Sequence, residues 1–277
     1  MKNENIFISI ITVTYNAEKT IERTIRSVIN QNIYNYEYLI IDGGSTDNTI
    51  DIVKRYLDKI AVFISEKDNG IYFAMNKGAE NAKGDYLYFL NSDDYFVDLN
   101  ILNRIQLSLV SYSKKPDVVY GNIYSLTKSN EILQCPVPPN IDRISQFINL
   151  PIHHPGSMIK HTVFNELGGF NIQYMYSSDY DLFLRCFLRG YSFRKIDLYF
   201  SCMSEGGAGT KNLFVAIKEF ELSLRTNNAP FYIRCFAILR GISIILMKKS
   251  KILVYLHKLS RIHRFGKKQD GASSIRM

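Results

Sequence analysis

Paired cysteines, long apolar runs and glycine-rich phosphate signatures are all missing from this 277-residue chain, and each absence removes a class of protein. The four cysteines, Cys135, Cys186, Cys202 and Cys235, show neither CxxC nor Cys/His spacing. Neither a zinc site nor a disulfide framework is expected, and the thiols read as reduced and cytosolic. The first apolar stretch is only about eight residues long, contains Ser and Thr, and lacks a small-residue cleavage site, so it reads as a strand rather than a secretory signal. Near the C-terminus the apolar segment Cys235–Met247 is interrupted by Arg240 and is too short to span a bilayer. No GxGxxG follows the first predicted strand and no GxxxxGKS/T occurs, which argues against a dinucleotide dehydrogenase and a P-loop NTPase. Internal repeats and low-complexity segments are absent as well.

What remains is an ordinary soluble composition, 46% hydrophobic and 22% charged, enough for one large domain or a domain with an appendage. The formal net charge of +8 is unevenly placed. From Phe231 onward eleven Lys/Arg face the single acid Asp270, leaving residues 1–230 with a formal charge of −2. The positive charge is a property of the tail, which suits an anionic membrane surface or nucleic acid.

The stretch Tyr86–Asp94, YLYFLNSDD, organises the rest. A nearly unbroken apolar run of strand length ends in two carboxylates, as a buried strand of an α/β sheet would at its polar rim. Open parallel sheets bind ligands at the carboxyl ends of their strands, so Asp93 and Asp94 are the first candidates for a metal or nucleotide site. A plain turn is the competing reading, since Asn, Ser and Asp all favour turns.

The chain leading there repeats one cycle. Ile6–Val13 is a predicted strand, followed by the loop Thr14-Tyr15-Asn16 and a helix within Ala17–Gln31, with Ile21, Ile25, Val28 and Ile29 at helical spacing. Tyr36–Ile41 is the next strand, ending at Asp42, and Asp47 or Asn48 can cap a helix reaching Leu57. Ala61–Ser65 is a third strand, and after the loop through Asp68 a helix runs from about Ile71 to Ala82. Three helices between four strands predict parallel crossovers. Acids stand where glycines would in a dinucleotide fold: Asp42, Asp68, Asp93 and Asp94 all fall at or just beyond strand ends. A converging carboxylate set is tolerable with a cation, and Mg²⁺ or Mn²⁺ carrying a diphosphate meets that need.

The ordered set TVTYN (12–16), IIDGGSTDNT (40–49), SEKDNGIYFAMNKG (65–78), AKGDYLYFLNSDD (82–94) and SSDYDLFLR (177–185) resembles family 2 glycosyltransferases, inverting nucleotide-sugar enzymes of GT-A fold. The likeness covers roughly residues 5–225 and is nearest to bacterial enzymes that build O-antigen, capsule or exopolysaccharide units on a lipid carrier. It implies an α/β fold, a mostly parallel Rossmann-like sheet flanked by helices. Residues 1–228 would form the domain, with a nucleotide-sugar half to about 98 and an acceptor half after it. Residues 229–277 would form a basic amphipathic helical extension.

Residue by residue, the resemblance implies that Thr14, Tyr15 and Asn16 hold the nucleotide. Asp42 would accept a hydrogen bond from a uracil ring, Asp68 would be a further donor-site acid, and Asp93 would approach the ribose. Asp94 would bind the divalent metal. Asp179 matches the final acid of the family's Glu-Asp motif, the general base, although Ser178 replaces the Glu and Asp181 is a rival two residues on. A carboxylate in a first helical turn is also what a helix dipole favours. His154 is assigned to acceptor or diphosphate contact, as are Gly206 and Gly207 in a glycine-rich loop that would close over the nucleotide. Phe73 departs from the acid common among relatives.

These readings give an inverting, metal-dependent transferase that uses a UDP-sugar and a lipid-linked glycan acceptor, peripheral on the inner face of the cell membrane. No nucleic-acid partner is expected. Two alternatives stand beside it. One is a nucleotidyltransferase, which should carry a glycine-rich, lysine-containing first loop that TVTYNAEKT does not supply. The other is a nucleic-acid-binding protein driven by the tail.

Overall fold

The computed structural model describes residues 6–138, 152–206 and 212–249. Its first half is the expected cycle. Strands β1 (Ile8–Thr14), β2 (Tyr36–Asp42), β3 (Val62–Ser65) and β4 (Tyr86–Phe89) alternate with helices α1 (Ile21–Ile29), α2 (Thr49–Lys54) and α3 (Ile71–Glu80). They pair in parallel in the order β3-β2-β1-β4. The predicted helix to Leu57 ends at Lys54, and a single 3₁₀ turn over Leu57–Lys59 completes it.

Register fixes where a site can form. Thr14 pairs with Asp42 and Asp42 with Ser65, so the carboxyl ends of three strands stand side by side at one sheet edge. Side chains alternate between two cores, as the two-residue period of a strand requires. Ile8, Ile10, Tyr38, Ile40, Tyr86 and Tyr88 pack with Ile21, Ile25 and Val28 of α1 on one face. Ile11, Val13, Leu39, Ile41, Leu87 and Phe89 pack with Met75 of α3 on the other. Burial on both faces explains why these strands read as apolar runs.

Beyond β4 the sheet turns mixed. The short β5 (Tyr95–Phe96) leads to α4 (Ile101–Val110), β6 (Val118–Leu126) and β7 (Ile132–Cys135). After the 3₁₀ turn His154–Gly156 come β8 (Ser157–Lys160), α5 (His161–Glu166), α6 (Ser178–Leu188) and β9 (Phe193–Ser204). β8 pairs antiparallel with both β4 and β6, β7 pairs antiparallel with β6, and β9 pairs parallel with β6 and antiparallel with β5. The mostly parallel sheet expected from the sequence is therefore parallel in its first four strands and largely antiparallel in its second half. The short β8 and β5 are placed by partners distant in sequence.

Two further helices, α7 (Leu213–Thr226) and α8 (Phe231–Lys249), close the described fold. Leu224, Ala229, Ile233 and Ala237 pack with Tyr180 and Leu184 of α6. A β-carbon at Gly241 would lie 2.9–3.0 Å from Ile217, so glycine is what lets α8 approach α7 there. Among the described residues no helix is long and apolar enough to cross a membrane.

Candidate active site

The Asp93-Asp94 pair sits in a tight turn clamped from two sides. Asp94 donates its amide to Asn91 O at 3.1 Å, closing the turn. From α1, Arg23 donates to Asp93 O (2.7 Å), and the Thr24 hydroxyl reaches Ser92 O (3.0 Å) and Asp94 O (2.7 Å). From the end of β9, Ser204 donates its hydroxyl to Asp93 O (2.6 Å) and its amide to Asp94 Oδ1 (3.0 Å). The Arg23 guanidinium also lies 4.3 Å above the Tyr95 ring. With the turn's carbonyls tied to α1 and β9, its carboxylates are held in a fixed place.

That place disfavours negative charge. Asp94 is 1% exposed, and burial, reinforced by the charge of Asp93, lifts its carboxyl to about 7. Asp93 is also raised, chiefly by burial, with its own amide, His154 and Arg23 pulling the other way. Two strained carboxylates side by side suit a divalent cation, whose charge would remove the penalty. Among the described residues no three His, Cys, Asp or Glu side chains converge into a self-sufficient cation cage. One or two hard oxygen ligands, completed by a ligand's phosphate oxygens, match the way Mg²⁺ and Mn²⁺ bind nucleotide diphosphates.

Beside the turn stands His154, at the start of its 3₁₀ turn. Its Nδ1 lies 3.3 Å from Asp179 Oδ2, and its Nε2 lies 2.9 Å from Asn91 Nδ2, which donates to Asp94 Oδ2 at 3.3 Å. With the Asn91 amide nitrogen facing Nε2, the proton belongs on Nδ1, directed at Asp179. A second proton on Nε2 requires that amide to turn over, which would bring its buried, unpartnered Oδ1 into line. Burial lowers the histidine's proton affinity, but the Asp179 hydrogen bond and the charges of Asp179, Asp94 and Asp93 outweigh it and leave the pKa raised.

Asp179 lies in the first turn of α6. Tyr72 of α3 donates to its Oδ1 at 3.3 Å and the Tyr180 amide donates to the same oxygen at 2.8 Å. Burial raises its pKa, yet hydrogen bonding and charge from His154, with the Tyr180 amide and the Tyr72 hydroxyl, bring it below the ordinary value. Its side chain keeps 27% of its surface exposed. The result is an ionised, accessible carboxylate facing a desolvated carboxylate pair across one imidazole and one amide.

The strand-end loops adjoin this cluster. Thr14 is buried and its Oγ1 has no hydrogen-bond partner. Tyr15 is exposed. Asn16 takes a left-handed φ of 49° and ties the first loop to the second, accepting from Thr46 N (2.8 Å) and donating its own amide to Ser45 Oγ (2.8 Å). Asp42, expected to accept a hydrogen bond from a uracil ring, is the last residue of β2. It is buried, and its oxygens already accept from Gly44 N (3.1 Å), Ser45 N (3.0 Å), Ser45 Oγ (2.5 Å) and Ser65 Oγ (2.8 Å). These bonds shape the loop that follows β2. Asp68 is the more open acid: its Oδ1 accepts from Gly70 N (2.9 Å), and its Oδ2 lies 2.6 Å from where a β-carbon on residue 43 would sit. Gly43 is what admits it.

Residues 9–133 match the family described as Glycosyl transferase family 2. The chain carries a family 2 glycosyltransferase domain. A PGL/p-HBAD biosynthesis glycosyltransferase of Mycobacterium bovis is 28% identical over 182 residues, covering 65% of this chain and 69% of that protein. The S. aureus TarS 1-349 structure in complex with UDP-GlcNAc superposes with a TM-score of 0.62 at 17% identity, covering 86% of this chain and 72% of that one. The mannosyltransferase PcManGT of Pyrobaculum calidifontis, in complex with GDP-Man and Mn²⁺, gives 0.61 at 15% identity, covering 92% and 79%. At these identities the structural likeness concerns the fold, which is GT-A.

One sequence-derived position of this glycosyltransferase lies away from the cluster. Asp181, the rival base, is 2% exposed and points into the α6/α7 contact. It accepts from Arg185 Nε (2.7 Å), Ser223 Oγ (2.8 Å) and Asn227 Nδ2 (3.2 Å), so every described contact of its carboxylate is structural. Gly206, with a φ of +107°, follows Ser204, the last residue of β9, by two positions. Gly207 lies outside the described residues. Arg23, Thr24, Asn91, Tyr72 and Ser204 were not singled out from the sequence. Only Asn91 carried a local signal, its place in NSDD; the others reach the site through tertiary contacts.

Proposed function

We propose that this glycosyltransferase moves a hexose or N-acetylhexosamine, with inversion, from a UDP-sugar to a lipid-linked polyprenyl diphosphate glycan in bacterial surface polysaccharide synthesis. The observation that carries the chemistry is the link from Asp179 through His154 and Asn91 to Asp94. Inverting transfer needs one general base on the acceptor side and a charge-stabilising centre on the leaving-group side. Asp179 is the base: ionised and accessible, it takes the proton of the acceptor hydroxyl as that oxygen bonds to the anomeric carbon. The bond from that carbon to the diphosphate breaks, and its electron pair leaves with the nucleotide. His154 holds Asp179 in place and shares its charge.

On the donor side Asp94, with Asp93, would hold Mn²⁺ or Mg²⁺, which supplies neutralisation of the departing diphosphate. Thr14, Tyr15, Asn16, Asp68 and Asp93 line the nucleotide side. The uridine preference rests on the pattern of the Asp42 loop; an imide N–H of the base would take the place of the Ser45 hydroxyl. Assembly of a lipid-linked glycan places the enzyme at the inner membrane surface, and the name of the mycobacterial relative, a PGL/p-HBAD biosynthesis enzyme, supports glycoconjugate assembly. Release of free nucleotide from UDP-glucose, UDP-galactose, UDP-N-acetylglucosamine and GDP-mannose, each with Mn²⁺ and with chelator, is the test. Metal-dependent release from one UDP-sugar is expected, and release from GDP-mannose alone would overturn the uridine assignment.

A further inference from the structure

The outward face of α8 is a stripe of exposed hydrophobic side chains, interrupted among the described side chains by the small polar Ser243. Phe231, Tyr232, Phe236, Ile238, Leu239 and Ile242 are all solvent-exposed, while Ile233, Ala237 and Gly241 turn inward onto α6 and α7. At 3.6 residues per turn Tyr232, Phe236 and Leu239 fall within roughly 60° of one another, on the side opposite the packed residues. A helix on a soluble surface ordinarily shows charged residues there. Such a contiguous apolar patch marks a contact surface.

Charge identifies what covers it. Helix α8 contains no Asp or Glu, and both acids of α7, Glu219 and Glu221, are already engaged. Glu221 pairs with Arg234, and Glu219 accepts from the amides of Met175, Tyr176 and Ser177. From Phe231 onward the chain carries eleven Lys/Arg against one acid. A second copy docking by symmetry would set this excess against itself, and residues 250–277, with seven Lys/Arg, have the same sign. An anionic bilayer supplies both an apolar interior for the stripe and negative headgroups for the basic residues that the sequence carries from Phe231 onward.

We infer that α8 lies in the interface of an anionic membrane, with Tyr232, Phe236 and Leu239 inserted among the acyl chains. This deepens the proposed action on a lipid-linked acceptor, and it holds the transferase domain at the surface where such an acceptor resides.

Co-sedimentation of the full chain with phosphatidylcholine vesicles, with and without phosphatidylglycerol, tests it. The chain should sediment with the phosphatidylglycerol vesicles, and the Phe236→Ser/Leu239→Ser double variant should partition roughly tenfold or more weakly. Tyr232→Ser should weaken binding in the same direction. Sugar-nucleotide hydrolysis without lipid should be unchanged in both variants, which also verifies their folding. Absence of wild-type binding, or equal binding by the double variant, would overturn the inference. So would a dimer in light scattering that the double variant dissolves, with no vesicle binding. Vesicle binding as expected in a chain that hydrolyses no sugar nucleotide would leave the docking standing and refute the chemistry.

Discussion

His154 Nδ1 faces Asp179 Oδ2 at 3.3 Å, and this contact joins Asp179 through Asn91 to Asp94. The imidazole is the main partner that depresses the Asp179 pKa, through both its hydrogen bond and its charge. His154→Ala should therefore lower kcat by about 10- to 100-fold, the loss typical of an outer-shell orienting partner. The acid limb of the pH–rate profile should move to higher pH, because an Asp179 freed of His154 binds its proton more tightly. A fall in kcat with an unmoved limb would show that His154 acts elsewhere.

Asp94 makes the metal-free protein sensitive to pH in an unusual direction. Its carboxyl is raised to about 7 in the fold, against an ordinary value of 3.8. Between those values the unfolded chain has lost the proton and the folded chain retains it, so this group's contribution to stability falls as pH rises from about 4 to 7. Bound Mn²⁺ must displace the same proton, so metal affinity should rise with pH up to about 7. Thermal melts with and without Mn²⁺ measure both effects, and Asp94→Asn should flatten both.

Asp179 and Asp181 should separate function from stability. Asp181→Ala strips a buried acceptor from Arg185, Ser223 and Asn227, and should cost about 3–5 kcal/mol in urea unfolding. Asp179→Asn should stay within about 1 kcal/mol of wild type and bind donor normally while losing transfer.

Thr24 supports the acid turn without touching a ligand. Thr24→Val removes the donor for two carbonyls, Ser92 O and Asp94 O. Stability should drop by about 1–3 kcal/mol. The dependence of nucleotide release on Mn²⁺ concentration should shift to higher metal, since the carboxylates lose their fixed position.

Gly43→Ala tests the nucleotide side. Its β-carbon would sit 2.6 Å from Asp68 Oδ2, so Asp68 must move. The donor KM should rise with little change in melting temperature. An unchanged KM would remove Asp68 from the donor site.

Apolar patterning was enough to read the parallel half of the fold, because strands buried on both faces must be apolar and helices on a sheet must repeat at 3.6 residues. It also located the acids at strand ends, since a two-residue period and a turn-forming loop leave little choice of register. Asp179 and Asp181 show the limit of that reasoning. Two residues apart in a first helical turn, both are plausible bases by motif, and only packing turns one toward His154 and the other into Arg185 and Ser223. The antiparallel strands, the α1 and Ser204 clamps and the imidazole bridge were likewise decided by tertiary structure. Apart from the local β6–β7 hairpin, these partners lie from about 25 to 110 residues apart, and no local pattern records which distant donor will meet which carbonyl. Asp42 was visible from its position, but only the folded loop revealed that its carboxylate is already shared among four donors.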